Sequence, residues 1–576
     1  MTKSRRQAAK WGIAAAVFAL SGVAAAETGD LDRPFSPFGI GNCHVNGRSV
    51  ADFERWMPAM QAIGITVQRT PHCHWGALEP KPGEWNWANL DAQMDYLDQH
   101  GFRYGCLLIG SPRWNTADPP GHLPVNNLDG WSNYVTQLAT HVRGRANRLE
   151  VWNEPPNFTG KDQTPEDYAK IVVASYDAAK AVDPNFQIGL AAKSVHVNYL
   201  EKVIRAGAKD HFDYIVLHPY EVFDGIADNA GSEAVFMNIV PVVRKMLAEV
   251  NPEKQNVPVI ITELGTDADR GAERQAHALV KAYAMAIAQG VECLQWFEGR
   301  DGDSGPKGLL DRQGAPRPSY HAMATMIKHL GAYPEYIGWT RLGGDSLAFA
   351  FEGASGPVVV AWGPAGEAAE VALASDVRVI DPISSEATLT RELSLGVAPV
   401  LVLDAPASTL DAARANAGRP LVWGGDYSDA EEVSITYGNL TAERGLHTRS
   451  GSQNDRMVNV DGVSARTGDT PGGNAFIVDP GFLSYDRTPI EITVEVRRNR
   501  ANDNSGFKLV YESTDGFKTA GTWYTVPDNK QWHTARWRID DPQFVNYWGY
   551  NFRLESDGNV HNKYLLRRVS VRKLGE

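Results

Sequence analysis

The chain predicts an α/β fold: a closed (β/α)₈ TIM barrel over residues 34–332, followed by a small β-domain and a C-terminal β-sandwich. Three observations carry this. Between about residues 36 and 330, short apolar runs alternate with helical stretches, the pattern of a parallel sheet with crossover helices. Eight such units in about 300 residues fit a barrel. No glycine-rich phosphate loop follows the first run, which argues against the open doubly wound alternative.

Before the barrel, residues 1–26 read as a bacterial secretory signal. Lys3, Arg5, Arg6 and Lys10 form a basic start, Trp11–Val23 is an apolar stretch too short to span a bilayer, and Ala24–Ala26 suits cleavage. Ser4–Lys10 also resembles a twin-arginine export motif, without the bulky apolar residues that follow the arginine pair. Export to the periplasm or the medium is expected. No other segment is long and apolar enough to cross a membrane.

The predicted strands are Phe38–Cys43, Thr66–Thr70, Arg103–Ile109, Arg148–Trp152, Gln187–Ala191, Tyr214–His218, Val259–Glu263 and Glu292–Trp296. Amphipathic segments Val50–Ile63, Leu90–His100, Pro165–Val182 and Glu273–Gln289 supply crossover helices. Residues 333–406 hold short alternating strands, such as Ser346–Phe351 and Pro357–Trp362, and read as a small β-domain packed on the barrel. Ala405–Arg419 reads as a linker or loose edge. Residues 420–576 are mostly β with Asp-Gly and Gly-Gly turns, the signature of an antiparallel sandwich.

Net charge is −13, and loss of the four basic signal residues leaves about −17. Such a chain is a poor partner for nucleic acid or anionic membranes. Cys43, Cys73, Cys106 and Cys293 fall in the predicted barrel segments with no CxxC pair, and are expected to be buried thiols.

In such a barrel the chemistry sits at the C-terminal strand ends. Strand four ends in Asn153-Glu154, and strand seven in Glu263, 109 residues later. Two carboxylates facing one cleft suit glycoside hydrolysis, one as proton donor and one as nucleophile. Arg69, at the end of strand two, is the candidate for keeping Glu263 ionised, with Tyr220 donating to the same carboxylate. His218 is placed to orient either glutamate or contact a sugar hydroxyl. His74, Trp114 and Trp296 are candidate sugar contacts. His72-Cys73-His74 also has the composition of a metal site, but no third ligand is visible and the chemistry requires no metal or other cofactor.

These segments resemble known ones. Trp152-Asn153-Glu154-Pro155 is similar to the strand-four acid/base signature of clan A glycoside hydrolases, and Ile261-Thr262-Glu263-Leu264-Gly265 to the clan's nucleophile segment. Trp75–Trp87, with Leu90 and Asp91, resembles the clan's segment after strand two. Residues 38–330 most resemble glycoside hydrolase family 39, including relatives that cut bacterial exopolysaccharide, and 333–406 its appended β-domain. The resemblance implies Glu154 as acid/base, Glu263 as nucleophile, Asn153 on the sugar 2-hydroxyl and Trp296 as the platform under the reacting ring. The expected function is retaining hydrolysis of a poly- or oligosaccharide. A transglycosylase using the same glutamates, or a non-catalytic polysaccharide-binding barrel, are the alternatives. The C-terminal aromatics Trp523, Tyr524, Trp532, Trp537, Tyr547, Trp548 and Tyr550 fit either a carbohydrate-binding module or a structural core.

Overall fold

The computed structural model describes residues 31–41, 50–69, 73–302, 304–449, 457–468, 474–500, 505–556 and 561–575. The expected signal segment, Cys43 and His72 lie outside them.

Eight parallel strands close into a barrel in sequence order: β1 (Phe38–Ile40), β2 (Val67–Arg69), β3 (Arg103–Leu108), β4 (Arg148–Val151), β5 (Gln187–Lys193), β6 (Tyr214–His218), β7 (Val259–Leu264) and β8 (Cys293–Trp296). The crossover helices include α1 (Val50–Ala62), α2 (Trp75–Leu78), α3 (Ala88–Gln99), α4 (Leu128–Val142), α5 (Pro165–Val182), α6 (Val197–Val203) and α7 (Tyr220–Ala227). Helix α5 starts where it does for local reasons. Thr164 and Asp167 form a reciprocal capping box, and Pro165 occupies the first turn, where its missing N–H costs nothing.

Strand alternation sorts the side chains into two layers. Leu149, Val151, Ile215, Leu217, Ile261, Leu294 and Trp296 join the core between strands and helices. Val67, Ala191, Tyr214, Val216, Ile260 and Cys293 fill the barrel interior, together with Phe35. Gly189 makes room for them, because a Cβ there would stand 2.5 Å from the Tyr214 ring. At the N-terminal end Arg148 pairs with Glu292 at 2.7 Å and covers the Phe35 ring at 4.2 Å, closing the barrel floor. The same parity brings Arg69, Glu150, Lys193, His218 and Thr262 to the opposite end of the interior. Cys73, Cys106 and Cys293 are buried free thiols.

After the barrel, β9 (Glu335–Thr340), β10 (Leu347–Gly353), β11 (Gly356–Trp362), β12 (Ala369–Ile380), β13 (Ala387–Leu395) and β14 (Val400–Leu403) form one sheet in the order β13-β12-β14-β11-β10-β9. The stretch expected as a loose linker is instead a helix over Ala407–Ala415. Its alanines favour helix, and Leu410 and Ala413, three residues apart, bury one face against Ala348 and Ala350 of β10. Beyond it, antiparallel sheets of seven and five strands enclose a second core.

The sandwich is bolted to the barrel. Glu201 of α6 accepts from the Tyr485 hydroxyl at 2.7 Å, from Arg487 at 2.8 Å and from Gln543 at 3.2 Å. Asn198 donates to the Ser513 carbonyl, and Lys202 pairs with Asp515. Tyr485, Val545, Tyr547 and Tyr550 are continuous with the barrel core.

Removing Glu201 strands several donors at once. Glu201→Ala is expected to weaken docking by about 2 kcal/mol or more. In urea titrations followed by tryptophan fluorescence, the sandwich should separate at a lower midpoint than in wild type. An unchanged midpoint would show that the cluster does not hold the interface.

Candidate active site

The strand-four glutamate is presented by a tight, unusual turn. Trp152 and Glu154 both adopt left-handed backbone angles, φ +64° and +47°. Non-glycine residues in that region cost of order 1–3 kcal/mol, and they concentrate at functional sites. Surrounding hydrogen bonds hold the turn: Trp152 N–H to the Leu108 carbonyl, the Trp152 indole N–H to the Phe158 carbonyl, and Asn157 N–H to the Glu154 carbonyl. On the far side, the β7–β8 register breaks between Ile261 and Leu264, and Glu263 lies within this break.

Arg69 links both sides. Its Nε and Nη2 bond the two oxygens of Glu150 at 3.1 and 2.6 Å. Nη2 also donates to Asn153 Oδ1 at 2.8 Å, and Nη1 donates to Glu263 Oε1. The Tyr220 hydroxyl donates to Glu263 Oε2 at 3.2 Å, so both Glu263 oxygens have partners. Burial opposes the charge on Arg69, but Glu150 and Glu263 outweigh it, and its pKa is raised above the usual guanidinium range. Burial, then the charges of Glu263 and Glu154, hold the Tyr220 hydroxyl protonated well beyond its ordinary range.

His218, 1% exposed, lies between the glutamates. Nδ1 is 2.8 Å from Glu154 Oε1 and 3.9 Å from Glu263 Oε2, and Nε2 is 2.8 Å from Thr262 Oγ1. Burial pushes the Glu154 carboxyl up. The hydrogen bond and charge of His218, then the charges of Lys193 and Arg69, outweigh this and set it below the usual carboxylate range. Glu154, His218 and Glu263 each offer an atom within 4.8 Å of the others. A small cation could bridge such a set, but Arg69 already brings positive charge to Glu263.

The structure therefore gathers Glu154, Glu263, Asn153, Arg69, His218 and Tyr220. The other three expected residues make contacts of their own. Trp296 is 0% exposed, so it is not an open platform. Strand parity explains this: Cys293 and Gln295 face inward, whereas Trp296 faces the helices, edge-on to Phe223 with its indole N–H on the Lys307 carbonyl. His74 caps α2 through Nδ1, which accepts from Gly76 N–H, and its ring lies over Gly110. Trp114 packs edge-on against Trp75 and donates to the Glu79 carbonyl.

Glu150, Thr262 and Lys193 were missed in the sequence. A charged residue inside the apolar run Leu149–Val151 was the available signal for Glu150.

The model of glycosyl hydrolases family 39 matches residues 33–331. Among solved structures, the fold is similar to a family 39 glycoside hydrolase from the gut symbiont Bacteroides cellulosilyticus WH2, with a TM-score of 0.54 and 20% identity over 64% of this chain and 81% of that one. A GH39 β-xylosidase from Caulobacter crescentus aligns with a TM-score of 0.46 and 18% identity over 65% and 98%.

The depressed Glu154 carboxyl has a stability consequence. Ionised Glu154 contributes stability above its unfolded value near 4.5, and this is lost as pH falls through the lower folded value. His218→Asn removes the main lowering partner. The melting-temperature advantage of wild type over this variant should therefore shrink as pH drops from 6 towards 3, as roughly set by these carboxylate values. A constant advantage would mean that His218 does not stabilise the ionised carboxylate.

Proposed function

The chain belongs to glycosyl hydrolases family 39 and is a glycoside hydrolase, and on that premise we propose that it is an exported, retaining enzyme cleaving O-glycosidic bonds of a poly- or oligosaccharide. The observation that carries the retaining reading is the approach of Glu154 and Glu263 oxygens within 4.8 Å of each other. Retaining enzymes hold their carboxyl groups about 5–5.5 Å apart, and inverting ones leave about 6.5–9.5 Å for a water.

In the first step a Glu263 oxygen attacks the anomeric carbon while Glu154 gives its proton to the departing glycosidic oxygen. The bond to that oxygen breaks and a glycosyl-enzyme ester forms. In the second step Glu154, now ionised, takes a proton from water, whose oxygen displaces Glu263. The sugar leaves with its original anomeric configuration. The Arg69 and Tyr220 hydrogen bonds support an ionised, oriented nucleophile. With Oδ1 fixed by Arg69, the Asn153 amide presents N–H to a sugar hydroxyl. The basic, apolar-cored leader, residues 1–26, supports export, with the mature chain starting at Glu27.

Glu154→Gln and Glu263→Gln are each expected to lower kcat by about 10³-fold or more on polysaccharides that wild type degrades. NMR of the first-formed product should show the starting anomeric configuration. With an activated aryl glycoside, azide should rescue Glu154→Ala to a glycosyl azide of retained configuration and Glu263→Ala to one of inverted configuration. An inverted first product would refute double displacement, and full activity in either Gln variant would refute the assigned pair.

A further inference from the structure

The sandwich loop between strands His533–Ile539 and Phe552–Glu555 is held by a buried carboxylate. Glu512 accepts the backbone N–H groups of Val545, Asn546 and Tyr547 at 2.9, 3.1 and 2.9 Å, and the Asn551 amide at 3.0 Å. Burial raises its carboxyl to about 7 even against these donors. A group so costly to bury is retained where it fixes one backbone arrangement.

What the loop meets is the end of β5. Ser194 donates to the Tyr547 carbonyl at 2.5 Å, and the Tyr547 ring stacks on His196 at 3.7 Å. Lys193 Nζ stands 4.5 Å over the Trp548 ring and 3.4 Å from Glu221. Gly549, at φ +70°, passes so close to the Glu221 carbonyl that a Cβ would lie 2.4 Å from it. Ser194 bridges to His218 in the backbone, and Lys193 N–H bonds the Pro155 carbonyl. The charge of Lys193 acts on Glu154, and that of Glu154 on Tyr547. The loop thus stands on the Glu154 side, where a leaving sugar would be protonated. Tyr547 and Tyr550 are buried, whereas Trp548 is half-exposed.

We propose that the Phe544–Tyr550 loop of the C-terminal sandwich is a wall of the catalytic cleft, where Trp548 and Lys193 bind the leaving sugar of the substrate and Glu512 holds the loop in place. This rests on the hydrolase reading above. The ligand is an oligosaccharide whose leaving-side sugar offers an apolar ring face to the indole and a hydroxyl or carboxylate to the ammonium. An aromatic platform of this kind acts mainly on binding, with little direct effect on the bond-breaking step.

Glycosyl fluorides, whose leaving group is one atom, separate the two sides of the cleft. Wild type, Trp548→Ala, Trp548→Phe and Glu512→Gln are compared on xylosyl, glucosyl and mannosyl fluorides and on xylotriose, cellotriose and mannotriose. For the sugar that wild type cleaves, Trp548→Ala should lose at least tenfold more kcat/KM on the trisaccharide than on the fluoride, mainly through KM. Trp548→Phe should restore most of it, and Glu512→Gln should show the same split. Equal losses on both substrates, or none on the trisaccharide, would overturn the proposal. If wild type cleaves no substrate of the panel, calorimetric binding of the trisaccharides decides: tenfold weaker binding by Trp548→Ala upholds the wall, and equal affinity overturns it.

Discussion

One guanidinium inside the barrel ties together the strands that carry the proposed reacting groups. Arg69 comes from β2, Glu150 from β4 and Glu263 from β7, and Asn153 follows β4. A buried arginine facing Glu263 alone would pair with it bidentately, the geometry its planar fork prefers. That would engage both Glu263 oxygens along one edge and hold the carboxylate back from a substrate. Glu150 prevents this by occupying Nε and Nη2, so Glu263 receives only Nη1. Tyr220 then takes the other oxygen. Glu263 is oriented from two directions, and its remaining lone pairs stay available. Glu150 touches no substrate atom in this scheme, yet the angle of Glu263 depends on it.

The proposed proton donor poses a different problem. In the proposed reaction Glu154 must deliver a proton, but His218 holds its carboxyl below the ordinary range. With imidazolium at His218, Nδ1–H points to Glu154 and Nε2–H to Thr262 Oγ1, which matches both 2.8 Å contacts. Moving the Nδ1 proton to Glu154 leaves a neutral imidazole still donating from Nε2. Nothing else need rearrange. Substrate would shift this balance in the required direction, because excluding water penalises the ionised carboxylate.

Most of this was legible in the chain because barrels concentrate chemistry at strand ends. All eight strands were located from apolar runs, and Glu154, Glu263, Arg69, His218 and Tyr220 follow from reading the last residues of each strand and the two or three beyond it. Trp296 shows where that reading stops short. A strand end presents alternate faces, and counting back from Trp296 through Gln295 to Cys293 would have assigned it to the helix side. Lys193 was lost to a strand that runs two residues further than its apolar core, as interior ends of barrel strands turn polar. The helix at Ala407–Ala415 was hidden by a composition that suits linkers and helices alike. No local pattern could pair Trp548 with Lys193, since their approach depends on how two domains meet.

That meeting bears on what the sandwich is. Domains joined by a chain move relative to each other unless their interface is large and specific, and a module that merely tethers an enzyme to a polymer gains from such freedom. Here Glu201 collects Tyr485, Arg487 and Gln543, and the loop tied to Glu512 reaches the strand next to His218. Both devices bury carboxylates, an expensive choice if only cohesion were needed, because apolar residues of similar size hold interfaces at least as well. Carboxylates do what apolar residues do not: they fix direction. Glu512 orients three successive backbone N–H groups, and with them the carbonyl of Tyr547 that meets Ser194. The sandwich is therefore placed to the precision that a binding surface next to a reacting bond requires.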